Sequence, residues 1–185
     1  MYRLGRVAVT LAPLAGCALP TTVFRVTDHR EPDVTTRYRE QFSEAYYRFD
    51  PAGNVSVLLT RQQAATRDTP PLTQTIHLRG LWPCIPGRTV AHRTQINATV
   101  TYSIRSGALE AVFEGAGSLF LDKTTRDERL IGELALATLR PTYRSSTAGD
   151  LFERAELAGQ FAAHHDPRRT VQLTNNLCRS LARVE

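Results

Sequence analysis

The sequence predicts a mainly β domain, an antiparallel curved meander or barrel-like sheet followed by one carboxyl-terminal helix, with a β-sandwich as the alternative. Three observations carry this. Residues 96–104 alternate strictly between apolar and polar. That period of two marks a strand with one buried face. Further runs of the same kind follow one another through short polar links, which favours neighbouring antiparallel strands. The last stretch then switches to helical spacing at an Asp-Pro step.

The elements follow in order. Residues 18–35, "ALPTTVFRVTDHREPDVT", read as a tether with one short strand at "TVFRV". "EAYYRFDPAGNVSVLL" reads as a hairpin, with "DPAGN" turning the chain between Phe49 and Val55. Tyr46 and Tyr47 face opposite sides of that strand, so one is expected in the core. "RQQAATRDTPPLT" is a polar loop. "QTIHLRGLWP" is a strand with Ile76, Leu78 and Gly80 on one face, and Trp82 is expected to plug the core at its end. "PCIPGRTVAHR" is an irregular connection pinned by Pro83 and Pro86.

The clearest strand is "TQINATVTYSI", where Ile96, Ala98, Val100, Tyr102 and Ile104 share a face. "RSG" turns at Gly107. "ALEAVFEGAGSLFLD" then aligns Leu109, Ala111, Phe113, Leu119 and Leu121, with Gly115 and Gly117 marking a bend or bulge. "LIGELALATL" is a strand by pattern, with helix left open by its Ala and Leu content. "PTYRSSTAGD" carries loop markers throughout. "ERAELAGQFAAHH" alternates again. Asp166 and Pro167 then form a cap and a first helical position. The helix runs over about 167–183, with Val171, Thr174, Leu177, Cys178 and Leu181 as its apolar stripe.

Composition excludes some partners. The 185 residues hold 23 Lys+Arg and 18 Asp+Glu, a net charge of +5. The single lysine is Lys123, and the arginines are interspersed with acids. Nucleic-acid binders cluster their cations instead, so no nucleic-acid partner is expected. No cofactor motif occurs: there is no phosphate loop, dinucleotide fingerprint or EF-hand, and no Gly-x-Ser-x-Gly elbow. His164, His165 and Asp166 are metal-ligand types, but adjacent strand residues face opposite ways, so no metal site is expected. Glu110 and Glu114 share a strand face and read as solvated acids. The sequons at Asn54 and Asn97 read as chance matches.

The amino terminus gives an address. Arg3 and Arg6 precede an uncharged run, Val7 to Gly16. A positive start and an apolar run of about ten residues describe a secretory signal peptide. The run is too short to span a bilayer, which takes roughly 20 apolar residues. Leu14-Ala15-Gly16-Cys17 resembles the lipobox of bacterial lipoproteins. The resemblance implies a signal peptide over 1–16, cleavage before Cys17 and a lipid on its thiol. It also implies a lipidated tether over 17–35 and a single β-rich domain over 36–185. Ala18 is permissive for outer-membrane delivery, so the implied location is the bacterial cell envelope, on the outer membrane facing the periplasm rather than the inner membrane. With Cys17 lipidated, Cys84 and Cys178 remain as a pair in an oxidising compartment. A disulfide between them is expected, closing a loop of about 95 residues and contributing about 4–5 kcal/mol.

These readings make the chain a membrane-anchored envelope lipoprotein, a non-enzymatic binding or assembly module. Its partner would be an envelope protein, polymer or lipid. The alternatives are a lipocalin-like carrier of a small apolar ligand, with room made by Ala98, Ala111, Gly115, Gly117, Ala155 and Gly159, and a hydrolase whose residues converge from separate strands.

Overall fold

Seven strands that follow one another up and down close into a barrel. The computed structural model describes residues 21–31, 34–87, 95–124, 127–149 and 151–181. The closing strands are β3 (Glu44–Phe49), β4 (Asn54–Gln63), β5 (Leu72–Pro83), β6 (Ala98–Ser106), β7 (Leu109–Thr124), β8 (Arg129–Arg144) and β9 (Ala155–His165). Each pairs antiparallel with the next, from β3 through β9. An odd number of up-and-down strands leaves the first and last running the same way. β3 and β9 therefore meet in parallel, through Tyr46 with His164 and Tyr47 with His165. The sheet is a mixed barrel rather than the purely antiparallel one expected.

Two further strands lie outside that circuit. β1 (Val23–Glu31) pairs antiparallel with β9 over Val23–Asp28, on the part of its edge that β3 leaves free. β2 (Val34–Gln41) pairs with the other side of β1. Residues 23–35 are thus largely sheet, and the domain begins well before the expected boundary at 36. The chain then steps from β2 around the start of β1 into β3. Thr22 holds this crossing: its carbonyl accepts from Phe42 N–H at 3.0 Å, and its hydroxyl accepts from Ala162 N–H at 3.2 Å. Phe42 packs edge-on against Phe24, with centroids 5.8 Å apart.

The barrel interior is filled. Phe24, Leu59, Ile76, Leu78, Tyr102, Phe113, Leu134, Leu139 and Phe161 are fully buried. Burial of such side chains contributes about 1.5–3 kcal/mol each. Gly115 and Gly117 permit close approach rather than room. A Cβ on either would strike the backbone of β8, at Thr138 and Leu136 respectively. A register shift lies beside them at Ser118/Leu119. There Asn97, 3% exposed, replaces missing rungs. Its Nδ2 donates to the Leu119 carbonyl at 2.8 Å, and its Oδ1 accepts from Leu119 N–H at 2.7 Å.

Helix α1 (Pro167–Leu181) crosses the outer face of β3 and β4. Asp166 caps it, its carboxylate accepting from Arg169 N–H at 2.8 Å. The inward stripe is Thr170, Leu173, Thr174 and Leu177, while Val171 and Cys178 are exposed. β8 absorbs Pro141 through Arg144, which the loop markers had excluded from it. Its Ala-Leu run is strand, not helix.

Thr22→Val keeps shape and removes the hydroxyl at the crossing. Leaving Ala162 N–H buried and unpaired is expected to cost about 1–3 kcal/mol. Urea denaturation of the variant checks this, with an unchanged midpoint contradicting the role given to Thr22.

Candidate functional site

The barrel has two unlike ends. At the narrow end β3 lies beside β9, and the Asp50–Gly53 turn, Pro83 and Cys84 form the rim. Asp50 shapes the turn: its carboxylate accepts from Asn54 N–H at 2.8 Å and from Nδ2 at 2.9 Å. These bonds hold its pKa below the usual carboxylate range. Gly53 takes a left-handed φ of 82°, which glycine adopts at little cost. At the wide end the β1–β2 hairpin occupies β9's edge instead of β3. β2 has no ladder on its second edge among the described residues.

A cavity of about 270 Å³ opens at this wide end, between β2 and β5–β6. Tyr38 of β2 packs on Phe152 at 5.4 Å, and Phe152 on Phe113 at 5.5 Å. Tyr102 stands at the floor, where burial pushes its phenol well above the ordinary range. Glu40 of β2 forms an ion pair with Arg61 of β4 across the open seam. Gln74 points inward from β5, 6% exposed, and its Oε1 has no hydrogen-bond partner. A buried polar atom left unpaired costs free energy, so each such atom calls for an explanation.

A second constellation lies on the outer face. Ser56 Oγ and His77 Nε2 are 2.9 Å apart, which is nucleophile–base geometry. The two residues come from adjoining strands, β4 and β5, so no local spacing pairs them. Burial, then Arg79 and Arg48, lower its pKa to about 4. An imidazole with that pKa is a weak base at neutral pH, and arginines, not a carboxylate, are the charges acting on it.

The other sequence candidates do not converge. Cys84 is buried and Cys178 exposed, and both are free thiols, so the expected disulfide is absent. The helix faces the barrel through a stripe one position away from Cys178. Cys84 meanwhile sits at the opposite, narrow end, under Gly80 and Val55. Burial raises the Cys84 pKa. Cys17 lies outside the described residues. His164 and His165 are both exposed at the end of β9. Among the described residues no three His, Cys, Asp or Glu side chains gather as a metal group. Glu110 pairs with Arg105 across the β6–β7 turn. Tyr47 is the buried member of its pair, and Arg169 lies over the Tyr46 ring at 5.9 Å.

Trp82 is not a core plug. It is 54% exposed. The β5–β6 ladder ends where Gly80 pairs with Ala98. Leu81 still donates to the Asn97 carbonyl at 2.9 Å, and the next position brings Trp82 beside Ile96, beyond the rim. Ile85 and Ile96 are 57% and 56% exposed. With Leu81 they form an apolar fringe on the narrow end. Compared with known proteins, the chain matches no family model, no curated protein and no solved structure.

Two measurements check this geometry. Cys178 is expected to react with a thiol reagent in the native protein, and Cys84 only on unfolding. Equal rates, or no free thiols, contradict the placement. His77 binds its proton in the unfolded chain near the ordinary 6.5 but in the fold only near 4. Its contribution to stability is therefore complete above about pH 6.5 and is lost as pH falls toward 4. NMR titration of the ring should give a midpoint near 4, and a midpoint near 6.5 contradicts its burial.

Proposed function

We propose that the chain is a membrane-anchored, non-enzymatic binding module of the bacterial cell envelope, held by lipid on Cys17 at the periplasmic face of the outer membrane. The observation that carries this reading is the fringe of Leu81, Trp82, Ile85 and Ile96, the three most exposed large apolar side chains of the described residues among them, at the narrow end of the barrel. An exposed apolar group of this kind, with a tryptophan in it, suits the boundary between water and lipid. Thr21, the first described residue, stands four positions after Cys17. That chain reaches at most about 14 Å, so a lipid on Cys17 would keep the barrel against the bilayer. Thr22 lies on the part of β9 nearer the narrow end, beside Ala162.

A lipid-side narrow end leaves the wide end and its cavity facing away from the membrane. The filled centre weighs against a roomy lipocalin-like carrier. The low pKa of His77 weighs against the Ser56–His77 pair as a hydrolase centre.

Intact mass of the protein from its native membrane tests the anchor. A chain beginning at Cys17 with two or three acyl groups is expected, and an unmodified chain beginning at Met1 contradicts it. Trp82→Ser tests the fringe. On the unlipidated full chain carrying Cys17→Ser, it should weaken binding to phosphatidylethanolamine–phosphatidylglycerol vesicles by about tenfold or more, the scale expected for withdrawing one aromatic side chain from the interface. Equal binding with and without Trp82 contradicts the fringe as a lipid contact.

A further inference from the structure

The geometry points to the wide-end cavity as the binding site for a small neutral ring compound that carries a hydroxyl or amide group. This deepens the binding-module reading and rests on it for the role, but not on the lipid anchor.

Size sets the first limit. About 270 Å³ suits a ligand of one or two rings. The walls set the second. Tyr38 and Phe152 form an aromatic side, with Ile104 and Leu72 opposite. Such walls favour a flat apolar body. Charge sets the third. Glu40 and Arg61, which face each other across the open seam, neutralise one another. An ionic ligand would have to break that pair, whereas a neutral one need not.

Gln74 supplies the fourth and most specific limit. Its side chain is more than nine-tenths buried, faces the cavity, and leaves Oε1 without a partner. A side-chain amide offers both donors and an acceptor. A hydroxyl or amide on the ligand would satisfy it, and a purely apolar ligand would leave it unpaired. Sites built this way discriminate strongly against analogues that lack the polar group. The seam also supplies an entrance, because β2 meets β4 through the Glu40–Arg61 side chains rather than through a backbone ladder.

The probe is 2-naphthol, a two-ring phenol that is neutral at pH 7, compared with naphthalene, which lacks the hydroxyl. Binding is read by fluorescence on the full chain carrying Cys17→Ser, without membranes. 2-Naphthol is expected to bind saturably and about tenfold or more tighter than naphthalene, the scale of one hydrogen bond made in a buried site. Gln74→Met should abolish that difference while leaving the melting temperature unchanged or higher, because it removes an unpaired buried group. Ile104→Trp should fill the cavity and remove binding of both probes. Absence of saturable 2-naphthol binding, or equal affinity for the two probes, overturns the proposal. So does a Gln74→Met variant that melts lower and binds 2-naphthol as before, which would make Gln74 a structural residue. Because the assay uses no membrane, its failure leaves the anchoring result standing, and the mass measurement leaves this one standing.

Discussion

Parity governs this barrel. Seven strands laid up and down in sequence must close with a parallel pair. Here that pair is short, running only from Tyr46 and Tyr47 to His164 and His165. β9 makes a full antiparallel ladder with β8 on one edge and divides its other edge between β3 and β1. The division follows from where the chain enters. β1 starts at Val23, so β9's edge beyond that point is free, and β2 passes around Thr22 into β3 to occupy it. Both ends of the barrel take their character from this handover. Beside β3 the circuit is tight. Beside β1 it carries two added strands and, among the described residues, an edge of β2 with no ladder.

Function is read from that asymmetry. The narrow end carries the apolar fringe and the wide end carries the cavity. On the anchoring proposed above, the cavity faces away from the bilayer. The interior between the ends is solid, with Phe24, Phe113 and Phe161 fully buried. The two ends of the barrel therefore differ in chemistry, and buried aromatic side chains lie between them.

Much of this was legible in the sequence and some was not, for local reasons. The strands of the β5–β9 meander announce themselves by alternation, because each has one face in the core. Alternation cannot show where the wall stops. Ile96 and Trp82 continue the period of their strands but lie beyond the last β5–β6 pair, Gly80 with Ala98, so the pattern assigned them to a core that ends before them. Helical spacing located α1, and Thr174 and Leu177 do lie on its inward face, but that face is completed by Thr170 and Leu173 rather than by Val171 and Cys178. That difference alone put Cys178 on the wrong side. β2 was the largest omission, and β1 was read only in part, as the short strand at "TVFRV". β2 is exposed on both faces over Thr35–Arg39, so it has no apolar period to read. Gln74 and the Ser56–His77 pair depend on neighbours from other strands. No local pattern could have singled them out, although a glutamine at an inward position of "LTQTIHL" is a discord that marks the place.

Amide hydrogen exchange resolved along β1, β2 and β9 probes the open seam. The Val23–Asp28 amides that bond to β9 should exchange as slowly as those between β8 and β9. Along β2, alternate amides should be protected by β1 while the others exchange freely, since they face an edge with no ladder. Slow exchange at every β2 amide would mean that β2 pairs on both edges. The wide end would then be closed, and the cavity would have no mouth.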